Sequence, residues 1–499
     1  MNELIARLEE RAATCPAAVI VQGAHETLTA AGLLSTARTF AEYLTAADIE
    51  RLGLLAQNSP AWIVTDIACQ IAGICLIPLP HFFSDTQLLN GIDRAGIDAL
   101  LTDDATRLGP IIASRELSFD CGHADGLTLH GVINPRQQAL PDGTTKITFT
   151  SGSTGAPRGV CLDNTQQIRV AKALAAVTQN ASPRHLCLLP LSTLLENIGG
   201  VYVPLLTDGT VAAPPGADIG LSGSTGLDIA KMLQALERHQ PTSIILLPQM
   251  LVGLVAAIDA GWTPPSSLEF VAVGGGKISS GLIRLARTGG LPVYEGYGLS
   301  ETASVACLNI AEADFPGSVG QPLGHIEIQI ENDEIIVHGN SFLGYVDDPA
   351  SWYPRSVATG DLGHLDEQGF LYISGRKKNI LISSFGRNIS PEWVESQLLG
   401  DSLLSQCVVF GDKRPWCVAL LATANPECAD QDIQAWIDHV NSGLPDYARV
   451  LGWHRLEEPL SVESGFLTDN GRPRRARIEH GYRAVIESFY AEPERTELA

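Results

Sequence analysis

The chain is short of positive charge. Its 33 lysines and arginines face 56 aspartates and glutamates, for a formal net charge of −23. Surfaces that grip nucleic acid or anionic lipid carry clustered Lys and Arg, so this balance speaks against both as general partners. Any anion site must be a local positive pocket in a negative protein. Long apolar runs are also missing. The longest, around Ile67 to Pro80, is broken by Gln70 and Gly73, and a bilayer span needs roughly 18 or more apolar residues. No transmembrane segment is therefore expected. No basic stretch followed by an apolar one opens the sequence, so no signal peptide is expected either. The ten cysteines include no Cys-x-x-Cys pair, and Cys75, Cys187, Cys407 and Cys417 sit in apolar company. They read as reduced core residues of a cytoplasmic protein. The Gly-x-x-x-x-Gly-Lys-Ser/Thr spacing is absent too, which excludes a Walker-type loop.

What is present begins with size. A chain of 499 residues exceeds one hydrophobic core, so at least two domains are expected. Residues 1 to about 50 carry helical periodicity. Beyond them, short β-branched runs alternate with helical patterns. Ile49–Ala56 reads as a strand, and Ser59-Pro60 as a helix start with Ser at the cap and Pro at the first position. Ser84 with Gln87 three residues on marks another. Residues 103–143 are polar, Gly- and Pro-rich, and read as irregular. The alternation resumes and implies a layered α/β sheet architecture. From about 325 to 375, short alternating runs such as Ile326–Ile330 and Glu334–Val337 suggest a small β-subdomain. The expected division is a large N-terminal α/β domain, 1–377, and a smaller mobile α+β domain, 378–499.

Ile147–Thr150, a buried-strand pattern, runs into Ser151, Gly152, Ser153, Thr154 and Gly155, then Ala156-Pro157-Arg158-Gly159. Glycine frees the backbone N–H groups to approach a ligand, and consecutive N–H groups with hydroxyls make an anion nest. Arg158 adds a permanent charge with forked geometry. The five letters alone describe an ordinary turn. They recur at Ser222–Gly226, where no strand precedes and no Pro-Arg-Gly follows, and that copy reads as a surface loop.

In its full context the first copy resembles the phosphate loop of the acyl-adenylate-forming enzymes, which include acyl-CoA synthetases, luciferases and adenylation domains. Three further segments resemble the same family in the same order. Tyr294–Ala303 resembles its Tyr-Gly-x-Thr-Glu motif, with Ser300 for the usual Thr. Thr359-Gly-Asp-Leu-Gly363 with Tyr372–Lys378 resembles its ribose-binding and hinge blocks. Leu467–Arg477 resembles its C-terminal Thr-x-x-Gly-Lys block. Two departures stand out, since Arg158 and Arg472 replace lysines of the family pattern.

The resemblance implies a two-step reaction. A carboxylate attacks the α-phosphorus of ATP, giving acyl-AMP and pyrophosphate, and a thiol of CoA, or of the phosphopantetheine on an acyl carrier protein, then takes the acyl group. It implies roles as well. Thr150, Ser151, Gly152, Ser153, Thr154, Gly155 and Arg158 hold phosphates, with Thr154 also catalytic. Gly275, Gly276, Tyr297, Gly298 and Ser300 surround the adenine end. Glu301 holds Mg²⁺. Asp361, Tyr372 and Arg376 serve the ribose and phosphate. Lys378 is the hinge, Gly386 lies by the pantetheine path, and Arg472 compensates the developing charge. Pro190–Tyr202 resembles the acyl-pocket segment and looks most like the long-chain fatty acyl version. Leu195, Glu196 and Gly200 are its substrate candidates, with Gly199 and Gly200 leaving room for an alkyl chain. A helix core explains the same apolar pattern. Glu196 alternatively pairs with a substrate amine, which favours an amino acid. The expected substrate is a medium- or long-chain fatty acid. An amino or aryl acid, and a nucleotide-binding homologue without turnover, are the alternatives.

Overall fold

The computed structural model describes residues 2–109, 111–117, 127–133, 135, 138–150, 158–178, 182–223, 226–276, 278–401, 403–468 and 471–490. Ser151–Gly155 lie outside that set, so the anion-nest expectation lies outside the described residues.

Two large sheets form the N-terminal part. One runs, by residue ranges, 321–322, 304–308, 293–299, 270–273, 243–246, 184–186, 210–212, 19–22 and 27–29. Its middle strands pair in parallel. The other runs 344–345, 158–162, 146–150, 75–78, 51–55, 99–102, 128–132 and 114–117. Helices cover the sheets because parallel strands are hydrophobic on both faces. Pro60–Ala72 shows the local logic. Ser59 caps it by accepting from the Trp62 N–H, Pro60 occupies the first turn, and Gly73 ends it in the left-handed conformation. Asp85–Ala95 has the capping box of Ser84 and Gln87. Three buried clusters fill this part, with Trp62, Phe40 and Leu33 in the first and Leu246, Leu254 and Val271 in the second.

The β-subdomain is a four-stranded antiparallel sheet of 327–331, 334–338, 356–365 and 371–376. The C-terminal part has its own three-stranded sheet of 404–410, 417–423 and 450–455, and its own two cores. The mixed α/β architecture with a smaller C-terminal domain is as expected.

The helical periodicity of the first 50 residues corresponds to two helices, Glu3–Thr14 and Ala30–Ala46, with Val19–Gln22 and Thr27–Thr29 between them joining the first large sheet. One local expectation fails. Within 103–143, Ser114–Leu117 and Thr128–Val132 extend the second sheet. Ser114–Leu117 is the edge strand, paired only with Thr128–Val132, and an edge strand can carry turn-rich sequence because only one neighbour requires its pattern. In the second Ser-Gly-Ser-Thr-Gly copy, Ser222 pairs with Gly226 in a small antiparallel pair of strands, and Ser222 is exposed. Every cysteine among the described residues is a free thiol, and Cys75, Cys187, Cys407 and Cys417 are buried.

Candidate active site

The motif residues gather where parallel strands end, the usual place for a ligand in such sheets. Lys146–Thr150 and Arg158–Leu162 pair antiparallel, with Thr150 opposite Arg158, so residues 151–157 connect two strands of one hairpin. Phe270–Val273 ends at Gly274–Gly276, and Gly275 has a φ of 84°. The neighbouring strand Val293–Leu299 runs into Ser300 and Glu301. Its Gly298 lies so close to the next strand that a Cβ there would stand 1.8 Å from the Ser304 carbonyl oxygen. No other residue fits without separating the strands.

Around this edge sits a charged group. The Tyr297 hydroxyl donates to Asp361 Oδ2 at 2.7 Å. Arg376 Nε lies 2.7 Å from the other oxygen, Oδ1. Asp361 is 4% exposed. Burial raises its pKa above the ordinary carboxylate range, against the pull of Arg376, Tyr297 and Arg472. Arg472 arrives from the C-terminal part and donates from Nη2 to the Gly275 carbonyl at 2.9 Å. Lys378 stands next to the group, and partial burial with the two arginines lowers its pKa.

Glu301 accepts a 2.8 Å hydrogen bond from the Tyr345 hydroxyl at Oε1. Arg158 lies over the Tyr345 ring, its guanidinium carbon 3.5 Å from the centroid, and its Nη2 is 3.3 Å from Asp348 Oδ2. Glu301 is a hard oxygen donor, and Mg²⁺ keeps waters and takes one or two carboxylates with phosphate oxygens, so the residue fits that ion.

Other candidates stand elsewhere. The Tyr372 hydroxyl donates to Asp366 at 3.2 Å, and its ring stacks on His364, so it is not in the Asp361 group. Gly386 lies in an exposed turn beside Phe385. A surface depression of about 500 Å³ against Glu3, Arg7 and Lys172 is lined by no motif residue.

The acyl-pocket segment is the clearest departure. Leu194–Leu206 is helical, but Asn197–Tyr202 is a π-helix. A Cβ on Gly199 would meet Ile245 Cδ1 at 2.9 Å, and one on Gly200 would meet His185 Nε2 at 2.7 Å and Glu196 Oε1 at 2.8 Å. The room expected beside these glycines is filled, and they serve close packing instead. Leu195 is half-buried and packs against two cores. Glu196 is fully buried, with Oε1 3.0 Å from His185 Nε2, whose Nδ1 lies 2.9 Å from Ser243 Oγ. Burial raises the pKa of Glu196, against the pull of His185. His185, Cys187 and Glu196 bring three ligand-type atoms within 4.8 Å inside the core, where His185 pairs with Glu196 Oε1 and Glu196 Oε2 is buried without a hydrogen-bond partner.

Sequence reasoning missed a second ionic cluster. Lys146 and Asp66 are 2% and 1% exposed and 3.0 Å apart. Lys146 also donates to Asn197 Oδ1 and Tyr202 OH, at 2.5 and 2.7 Å. Asp66 accepts from Asn197 and Tyr202, both at 2.8 Å. It also missed Tyr345. Its only sequence signal was an aromatic next to Gly344, which nothing connected to Glu301.

Known proteins resemble this chain in sequence and in fold. A 2-succinylbenzoate–CoA ligase of Bacillus velezensis is 30% identical over 388 residues, covering 73% of this chain and 75% of the relative. A long-chain-fatty-acid–CoA ligase of Mycobacterium bovis is 24% identical, covering 88% of each. Among solved structures, the O-succinylbenzoate coenzyme A synthetase of Bacillus subtilis in complex with ATP and magnesium superposes with a TM-score of 0.76 at 24% identity, over 95% of this chain and 99% of that one. Residues 8–341 match the AMP-binding enzyme family, and residues 378–494 match its C-terminal domain. The chain belongs to the AMP-binding enzyme family, within the acyl-adenylate-forming superfamily that its motifs resemble.

Proposed function

We propose that this enzyme activates a carboxylic acid with ATP to an acyl-adenylate and then transfers the acyl group to CoA. The observation that carries the proposal is the convergence of Gly275, Tyr297, Asp361, Arg376 and Arg472 on one strand-end edge. Asp361 offers the ribose diol two acceptor oxygens. Arg376 and Arg472 bring two positive charges to one carboxylate, which leaves charge for the α-phosphate as the acid attacks it. Arg158 and the 151–155 loop take the outer phosphates. Mg²⁺ at Glu301 would neutralise phosphate charge in the first step. We also assign the division near Lys378, so that rotation there exchanges Arg472 for the Gly386 turn before the thiol attacks. The start of the C-terminal family match at 378 supports it.

For the acid, we favour an aryl or aryl-alkanoic acid over a fatty acid. The 2-succinylbenzoate relative supports this, and the filled space at Gly199 and Gly200 removes the room expected there for an alkyl chain. The fatty-acid reading retains the Mycobacterium bovis relative. An amino-acid substrate is the least supported, because a carboxyl with a raised pKa and a histidine partner is a poor anchor for an ammonium. Pyrophosphate release should be measured across 2-succinylbenzoate, benzoate, anthranilate, octanoate, palmitate and amino acids, with and without CoA, with products identified by mass spectrometry. An aryl-CoA product supports the reading. Palmitoyl-CoA alone replaces the substrate class. Acyl-AMP that accumulates despite CoA points to a carrier-protein thiol. ATP binding without pyrophosphate for any acid refutes the ligase.

A further inference from the structure

Arg158 stands where the family pattern has lysine, and Tyr345 gives that change a physical context. The ring is firmly placed. Gly344–Tyr345 is a short edge strand, antiparallel to Arg158–Leu162, with Tyr345 opposite Val160. The Tyr345 N–H donates to Ser351 Oγ at 2.9 Å, and its carbonyl accepts from Trp352 Nε1 at 2.9 Å. Phe342 meets the ring edge-on, with centroids 4.7 Å apart. Both functional ends of Tyr345 are then engaged. The face carries the Arg158 guanidinium at 3.5 Å, and the hydroxyl donates to Glu301 Oε1 at 2.8 Å. A planar guanidinium can lie flat on an aromatic face and still point N–H groups outward, which an ammonium cannot do.

We propose that Tyr345 is a positioning residue that couples the phosphate-loop arginine to the metal-binding glutamate. Its hydroxyl orients Glu301 for Mg²⁺, and its ring holds Arg158 at the polyphosphate. This rests on the roles proposed above for Arg158 and Glu301. The pair Arg158–Asp348 is about half exposed on both sides, so it is weak and gives way to phosphate, while the stack on Tyr345 can persist.

The test separates the two ends of the side chain. ATP binding to the full chain is measured by calorimetry across a Mg²⁺ series with no acid present, for wild type, Tyr345→Phe, Tyr345→Leu, Arg158→Lys and the Tyr345→Leu/Arg158→Lys double variant. Thermal melts check folding. Tyr345→Phe keeps the ring and removes one hydrogen bond to a charged group, so half-saturating Mg²⁺ should rise roughly tenfold. ATP affinity at saturating Mg²⁺ should stay near wild type. Tyr345→Leu should also weaken ATP binding at saturating Mg²⁺, and its effect should fail to add to that of Arg158→Lys. A tyrosine that merely packs predicts a Tyr345→Phe variant with unchanged Mg²⁺ dependence, and that result overturns the coupling. Tighter Mg²⁺ binding in Tyr345→Phe overturns it as well. Wild-type pyrophosphate release with a Mg²⁺-indifferent Tyr345→Phe removes this inference alone. A wild type that binds no Mg·ATP removes the site assignment along with it.

Discussion

Two clusters in this molecule are made of the same parts, a carboxylate, a tyrosine and cationic side chains. Around Asp66, one carboxylate meets one ammonium, Lys146, with Tyr202 and Asn197 bonded to both. Charge balances and solvent is shut out. Around Asp361, one carboxylate and Tyr297 meet Arg376, with Arg472 close by. Charge does not balance, and the excess is positive in a protein that carries −23 overall. Composition does not separate a structural ionic cluster from a ligand site. The residual charge does, because a positive excess at a site open to solvent attracts an anion, whereas a balanced buried pair does not.

The largest effect should come from breaking the balanced cluster. Lys146→Met leaves Asp66 buried without its cation, and losing one partner of a buried pair costs about 3–5 kcal/mol. Thermal denaturation should show a large fall in melting temperature, or little folded protein. Breaking the unbalanced cluster should act on chemistry instead. Arg472→Ala should lower acid-dependent pyrophosphate release roughly 10²–10³-fold, as for loss of one transition-state donor. Its melting temperature should barely move, and CoA thioester formation from supplied acyl-AMP should persist. Arg472→Lys should restore much of the first step. Asp361→Asn comes next. If Asp361 holds the ribose as proposed, ATP affinity by calorimetry should fall roughly tenfold.

The smallest effect sharpens the contrast through pH. The folded-state pKa of Asp361 is raised, so between its unfolded and folded values the folded chain binds more protons than the unfolded one. Stability from this group is therefore present at low pH and lost as pH rises through the folded pKa. Asp361→Asn lacks that loss. The melting-temperature difference, variant minus wild type, should increase as pH rises across this range. A flat difference would mean that Asp361 is not held in this state.

Much of this was legible in the chain. Helix caps at Ser59 and Ser84 act within a few residues, and sequence displays such local bonds directly. The Tyr297–Glu301 and Asp361–Arg376 segments were found because their resemblance to a family fixes residue types in order. Long-range bonds were not legible. Asp66 and Lys146 are 80 positions apart by their numbering, and nothing near either names the other. Tyr345 was hidden for the same reason, since its contacts with Glu301 and Arg158 arise only when a two-residue strand joins the sheet edge. The glycines at 199 and 200 misled because a missing side chain signals either open space or close packing, and only the neighbours Ile245 and His185 decide which.

The hairpin of Lys146–Thr150 and Arg158–Leu162 has one more consequence. A Walker-type loop feeds a helix, whose aligned peptide dipoles place about half a positive charge at the phosphates. Here the strand Arg158–Leu162 follows instead. In the function proposed above, an anion held beside this hairpin lacks that built-in field and relies on Arg158, on a divalent cation and on Arg472 from the C-terminal part. The cation and Arg472 can leave, while Arg158 stays on its strand. A grip assembled from removable parts suits a reaction whose first step must discard its pyrophosphate before the second can begin.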